Sequence, residues 1–450
     1  MEGLNLGMVG GGTVGSGVFH ALHQNGQLLA ARIGVRIQVR KVAVKAVDEP
    51  RPYPIPRRFL TTNWREVVED PQVQLVTELV GGTTVARTIV LTALRLGKPV
   101  ITANKALLSA HGPELFAEAR AHGTNLYYEA SVCGGIPIIK ALREGFVGNR
   151  IVALYGIVNG TCNYILSRMA REKADFATVL AEAQREGYAE TPPDLDIDGL
   201  DAQHKTGILA SLAHGFWVPA SQIHVEGIRA VTALDLQFAA QLGYTIKLLG
   251  IVKRLEDASN GHGPAIQVAV YPALIPSDHV LAGVHGVYNA VLVRGDVVGD
   301  TLFYGRGAGK DATASAVLSD LADAALDLKF HSPQRRSTLL AQPSAGRVLP
   351  MDHVVSRSFV RLSVVDRPGV LARIAAVFGQ ARIGIASVIQ PEGHTGEVVP
   401  LILMLHEAPD GAVRRALARI ARLPVVKAPP VRFRVESLDP GPNGNAHPGA

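Results

Sequence analysis

The chain opens on a short apolar run, LNLGMV at residues 4–9, which gives way to glycines and then to residues at helical spacing in TVGSGVFHALHQ. That order predicts a buried strand, a tight turn and a helix. VRIQVRKVAVKAVD (35–48) predicts a second strand, and LVTELVGG (75–82) and KPVITANKALL (98–108) each predict a buried parallel strand followed by a polar turn and a helix. NLYYEASVCGGIPII (125–139) predicts a strand that ends in a small-residue turn. NGTCNYILSRMARE (159–172) predicts a polar turn opening a helix. LDAQHKTGILASLAHG (200–215) predicts another, entered from an acidic, Pro-rich loop, with Leu200, Ile208, Leu209 and Leu212 as its apolar stripe. Runs such as IQVAVYPALI and NAVLVRG between residues 227 and 303 predict a sheet that could pair with another subunit. FYGRGAGKDATASAVLSDLADAAL then brings a glycine loop and a helix expected to return to the first domain.

From about residue 330 the pattern breaks into a Pro/Ser/Arg-rich stretch, SPQRRSTLLAQPSAGRVLP, which reads as a linker at 331–354. After it, strand, helix, strand, strand, helix and strand follow one another through residues 355–437, with a turn at Asp366-Arg367-Pro368-Gly369. The tail at 438–450, DPGPNGNAHPGA in its last part, has the composition of a disordered segment. The fold class is therefore α/β. It combines a dinucleotide-binding domain at 1–135, joined by the helix near 308–328, a mixed domain at 136–307, and a small C-terminal βαββαβ domain.

Candidate chemistry sharpens this picture. Gly10, Gly12, Thr13, Val14 and Gly15 form a G-x-G-x-x-G between the first strand and its helix, the context in which that spacing binds a dinucleotide. Gly10 permits the tight turn, Gly12 lets a pyrophosphate approach the backbone, and Gly15 allows close packing of the helix. Lys45 ends the second strand with no adjoining acid, the nearest being Asp48. An acid there would grip a ribose diol, whereas a cation suits a 2′-phosphate, so the cofactor expected is NADP, with NAD possible. A solvated strand end is the plain alternative for Lys45.

Asp201 and Lys205 stand one turn apart on one helical face. They read either as a solvated ion pair or as a proton-transfer group for a small polar substrate. Lys105 falls beyond the end of its strand, where ligands of open α/β sheets bind. Glu129 precedes a turn that bares carbonyl oxygens, a pattern suited to a hard cation or to a plain strand end. Asn159 either caps its helix or lines a pocket.

GGGTVG, ELVGG, TANKALL, EASVCGGIPII, NGTCNYIL, GYAETPPDLDIDGLDAQHK, YTIKLLG and GAGKDATASAV occur in the order and at the spacing of homoserine dehydrogenases, so the chain resembles that family from about residue 7 to residue 328. The resemblance implies a Rossmann-type domain, an α+β catalytic and dimerisation domain, and nicotinamide-dependent interconversion of L-aspartate 4-semialdehyde and L-homoserine. It implies Lys205 as the proton-transfer lysine, Lys105 as a second active-site lysine, and Glu190 and Asp201 as carboxylates holding homoserine. Gly187 and Gly309 match backbone contacts near substrate and cofactor. Glu129, Val132, Gly134 and Ile136 match a monovalent-cation loop for Na+ or K+. Cys133 and Cys162 depart modestly from the family's usual small residue and threonine. The βαββαβ segment, with D-R-P-G-V-L at its first turn, resembles a ferredoxin-like ACT domain, which implies an amino-acid effector, L-threonine being the natural one. Asp366, Gly369 and Leu371 lie on the matching turn. A homodimer or higher homo-oligomer is expected from the family.

A second ammonium at Lys105, together with desolvation, is expected to lower the pKa of Lys205, against the pull of neighbouring carboxylates. Two rivals have to be met. An aspartate-semialdehyde dehydrogenase would need Cys133 or Cys162 as a nucleophile, and a non-enzymatic ACT-type sensor would leave the lysines idle.

A net charge of +6 raises nucleic acid as a partner, but the basic residues are scattered and aromatic residues make up 5% of the chain, so none is expected. No signal-like start and no run of about 18 apolar residues occurs, so neither a membrane nor secretion is expected. Two cysteines without metal spacing fit a reducing, cytoplasmic setting.

Overall fold

The computed structural model describes residues 2–255, 265–332, 346–391, 394 and 396–439. Six strands form the first sheet: β1 (Glu2–Val9), β2 (Val35–Ala43), β3 (Leu60–Thr61), β4 (Leu75–Glu78), β5 (Val100–Thr102) and β6 (Leu126–Tyr127). All pair in parallel, in the order β3-β2-β1-β4-β5-β6. This is the doubly wound order, in which the strand sequence reverses between β1 and β4 and opens a crevice at the carboxyl ends. Near-continuous apolar strands follow from burial on both faces. The Thr13–Ile33 helix covers one face, closed at its end by Gly34 in the left-handed conformation (φ 69°). The Lys310–Lys329 helix lies along it, with Val317 and Leu321 in the same core as Leu6 and Val18. The returning helix is thus present.

The second sheet is built from β7 (Ile151–Ile157), β8 (His224–Val225), β9 (Tyr244–Leu255), β10 (Ala265–Pro276), β11 (Tyr288–Gly295), β12 (Gly299–Arg306), β13 (Arg347–Val348), β14 (Val355–Val365), β15 (Ile385–Ile389), β16 (Val398–Pro409) and β17 (Val431–Val435). Its main path runs β12-β11-β7-β9-β10-β17-β14-β16-β15, with β8 and β13 also pairing β10. The last four strands carry the Val370–Gln380 and Asp410–Ile420 helices in βαββαβ succession. β10, the IQVAVYPALI strand, is flanked on both sides within the chain, which leaves β12 and β15 as the edges of this sheet.

Parts of the segments expected to be irregular are ordered. In the linker stretch, β13 pairs β10 in parallel. Residues 333–345, which hold most of that linker, lie outside the described residues. At the tail, Leu438 is buried and its carbonyl accepts from Arg294 Nη2 at 2.7 Å, while residues 440–450 lie outside the described residues.

The Leu200–His214 helix differs from the expected amphipathic stripe. Leu200 is exposed, whereas Lys205 and every residue from Thr206 to Leu212 are buried. The helix is enclosed by the second sheet and by the Lys105–Ala121 helix, so Asp201 and Lys205 in its first turns are taken out of water.

Candidate active site

At the mouth of the first sheet, Gly10 has φ 108°, and a Cβ there would come within 2.5 Å of the Leu79 backbone. Only glycine meets both demands. A Cβ on Gly15 would sit 2.0 Å from the Gly10 carbonyl oxygen, so this glycine packs the helix against the turn itself. Gly12 faces open space, and Thr13 and Val14 begin the helix whose free N–H groups suit a pyrophosphate. Gly309 heads the Lys310–Lys329 helix with φ 111°. Lys45 is exposed, two residues past the end of β2.

The loops after β4 and β5 are tied together. Buried Glu78 accepts from Thr102 Oγ1 at 2.7 Å and from the Val80 amide at 3.0 Å, and Asn104 Nδ2 donates to the Gly82 carbonyl at 2.7 Å. Asn104 also caps the Lys105–Ala121 helix through the Leu107 amide, which sets Lys105 at the crevice.

Lys105 meets Asp201 there. Its Nζ lies 3.1 Å from Asp201 Oδ1, while Lys205 Nζ lies 2.8 Å from Asp201 Oδ2 and donates to the Val158 carbonyl at 2.8 Å. Asn159 caps the Gly160–Glu172 helix with its Oδ1 and gives its Nδ2 to both Asp201 (2.8 Å) and Asp196 (2.7 Å). Capping and site-building are therefore the same side chain's work. Asp201 and Lys205 are each 8% exposed, which removes the solvated-pair alternative.

Burial opposes both charges, yet the two lysines hold the Asp201 carboxyl below the usual range. For Lys205, burial lowers the pKa and the adjacent Asp201 carboxylate more than reverses it, so the net direction is upward. This corrects the expectation that Lys105 and desolvation would depress it. The carboxylate bridges the two ammonium groups and so dominates their repulsion.

Gly187 and Glu190 lie on the exposed connection before this helix, Gly187 with φ 76°. Among the described residues the Glu190 carboxylate forms no ion pair, although its field helps to raise Asp196, behind burial as the main cause. Two further groups join the site that sequence reasoning did not single out. Asp196 shares Asn159 with Asp201, and its only signal was the density of acids in DLDID. Asn289, buried in β11, donates to the same Val158 carbonyl at 3.1 Å, and among the described residues its Oδ1 has no partner. A lone amide inside the apolar run NAVLVRG was the available clue.

Glu129 heads a short 3-10 turn, and both carboxylate oxygens are taken by backbone amides, Ile139 at 2.9 Å and Lys140 at 2.7 Å. Burial pushes its pKa up to about 7. The carboxylate thus caps a helix, and what the loop offers a cation is carbonyl oxygen: among the described residues no donor reaches the carbonyls of Val132 or Gly134, while that of Ile136 accepts from the Ile138 amide at 2.8 Å. Cys133 and Cys162 are both buried, and burial pushes their thiols up, Cys133 to about 11. Neither is poised as a thiolate nucleophile.

A glycine-turn dinucleotide crevice facing a buried lysine-carboxylate cluster defines a nicotinamide-dependent oxidoreductase. The comparisons narrow the class. Residues 10–129 match the family model "Homoserine dehydrogenase, NAD binding domain", and residues 137–322 match "Homoserine dehydrogenase". Homoserine dehydrogenase of Pseudomonas aeruginosa is 42% identical, with 98% of this chain and all of that protein covered; that of Bacillus subtilis is 37% identical, with 97% and 99% covered. A crystal structure of homoserine dehydrogenase from Thiobacillus denitrificans superposes with a TM-score of 0.90 at 42% identity, covering 98% of this chain and 99% of that one. A hyperthermophilic archaeal homoserine dehydrogenase in complex with NADPH matches with a TM-score of 0.58 at 25% identity, over 72% of this chain and 98% of that one. The chain belongs to the homoserine dehydrogenase family. It interconverts L-aspartate 4-semialdehyde and L-homoserine with a nicotinamide cofactor, on the path to threonine and methionine, and the cysteine-dependent and sensor rivals fall away. Among the described residues no helix is long and apolar enough to cross a membrane.

Proposed function

We propose that Lys205 carries the proton of this reaction. A bound nicotinamide supplies or accepts the hydride at the substrate carbon; the chain's own residues manage the charge on the oxygen. The Lys205 ammonium has three N–H groups. Two are spent on Asp201 and the Val158 carbonyl, which leaves one for the substrate oxygen. With its pKa raised, Lys205 is charged at neutral pH and ready to donate in the reductive direction. Lys105 steadies Asp201 from the cofactor side, and Glu190, Asp201 and Asn159, with the Gly187 backbone, receive the amino-acid end of the substrate. The observation that carries this reading is the Lys105-Asp201-Lys205 bridge at the crevice. The test is Lys205→Ala: kcat should fall by about 10²–10⁴-fold while cofactor affinity stays nearly unchanged. A near-normal kcat would remove Lys205 from proton transfer.

The same reading extends to specificity and control. Gly10, Gly12, Thr13, Val14, Gly15, Lys105 and Gly309 take the cofactor, and Lys45, with no acid beside it, favours the 2′-phosphate of NADP. The carbonyls of Val132, Gly134 and Ile136, beside Glu129, fit a monovalent cation by their donor chemistry, since oxygen dipoles are what Na+ and K+ require. Activity measured in Na+, K+ and a bulky organic cation tests this, and equal rates in all three would count against it.

The C-terminal βαββαβ unit supports an ACT-type effector domain. Gly369 is left-handed (φ 85°) at the head of its helix, Leu371 is exposed, and Asp366 accepts from Gln390 at 3.0 Å. L-threonine titrated into the full chain should lower activity, and Asp366→Ala should blunt the response. A flat titration would leave the unit structural. A homodimer is the assembly proposed, checked by sedimentation.

A further inference from the structure

The YTIKLLG motif places a lysine near the start of β9, and the substrate site does not use it. Lys247 is 2% exposed. Its ammonium donates to Asn163 Oδ1 at 3.2 Å and to the Val284 carbonyl, both neutral, and among the described residues no carboxylate pairs with it. Isolated buried ammonium groups are unfavourable, and an apolar side chain of the same length would relieve the strain on the fold. Lys247 nevertheless stands at the wall of an open space. A cavity of about 450 Å³ opens beside it, lined also by Arg168, Arg171 and His285, and among the described residues no carboxylate lines it. Arg168 and Arg171 do pair with Glu172, and Arg168 with Glu182, but those acids stand outside the cavity wall. Burial first, then Lys247 and Arg171, hold the pKa of His285 below the ordinary value. Leu236, Ala240 and Tyr244 supply the apolar part of the wall.

We propose that this cavity binds a small anion of the carboxylate or phosphate class, with an anionic oxygen on the third N–H of Lys247 and Arg171 at the rim. The cavity's size suits a small metabolite, and the missing counter-charge is what the ligand brings. Occupancy would reach the substrate site through one helical turn. Asn163, the partner of Lys247, donates its backbone N–H to the Asn159 carbonyl at 3.2 Å, and Asn159 holds Asp201.

The test uses the full chain with its nucleotide site saturated by NADP, and titrates inorganic phosphate and acetate separately by calorimetry. Saturable binding of either is expected, and the probe that binds tells phosphate from carboxylate. Lys247→Met should weaken it by at least about tenfold, the scale of a buried charge-assisted hydrogen bond. Arg171→Gln, at an exposed position that keeps folding intact, should weaken it by roughly two- to fivefold. In parallel, the bound anion should slow acetylation of Lys247 by a pulse of acetic anhydride, read by peptide mass spectrometry, and leave the rate at exposed Lys45 unchanged. Absence of saturable binding by both probes, or binding that neither substitution weakens together with no protection of Lys247, would overturn the proposal.

Discussion

Lys205 and Lys247 are both buried in the catalytic half, and their surroundings push them in opposite directions. Lys205 shares a carboxylate with Lys105, and its pKa is raised; among the described residues Lys247 has only carbonyl and amide oxygens, and burial lowers its pKa to about 8. Burial is the first influence on each. What decides the outcome is whether an anion came with the fold. At Lys205 the chain supplies one in Asp201, which favours the charged ammonium that the proposed proton transfer needs. At Lys247 none is supplied among the described residues, and the residue lines a cavity.

The sharpest way to break this contrast is Asp201→Asn, which turns Lys205 into a second Lys247. The variant should lose about 3 kcal/mol of stability through the uncompensated lysines, measured by denaturant unfolding, with activity reduced by at least about tenfold. The pKa of Lys205 should fall, seen as an acid shift in the pH profile of homoserine oxidation. An unchanged profile would mean Asp201 does not set the charge on Lys205.

Lys247 offers the converse test through the pH dependence of stability. Its folded pKa lies below its unfolded one, so the native state releases the proton first. Stability should therefore rise as pH climbs from about 8 toward the ordinary lysine value, by up to about 3 kcal/mol. Lys247→Met should abolish that rise. Lys205, with its pKa raised, should contribute stability that is lost only above the ordinary lysine range. Differential scanning calorimetry between pH 7 and 11 separates the two.

The smallest effect expected is at an exposed lysine. Lys45→Ala should lower the preference for NADPH over NADH by about two- to fivefold, the scale of a screened surface charge, read from kcat/KM with each cofactor.

How much of this was legible in the sequence followed from how local each feature is. The glycine turn could be read because its demands lie within six residues: φ 108° at Gly10 and contact between Gly15 and the Gly10 carbonyl. The Asp201-Lys205 pair could be read from helical periodicity. Its burial could not, since that depends on a sheet and a helix more than thirty residues away, and Leu200 was misplaced for the same reason. The roles of Asp196 and Asn289 come from Asn159 and from the Val158 carbonyl, contacts spanning tens to more than a hundred positions. Lys247 stood in plain view within YTIKLLG, but only the fold shows that no acid among the described residues accompanies it.

The most direct measurement of the central claim is a crystal structure of the full chain with NADP and L-homoserine bound. Lys205 Nζ is expected within about 2.6–3.2 Å of the homoserine hydroxyl oxygen, with Asp201 still bridging Lys105 and Lys205. A hydroxyl held by a different side chain, with Lys205 still satisfied by Asp201 and Val158 and turned away from it, would mean that Lys205 does not carry the proton.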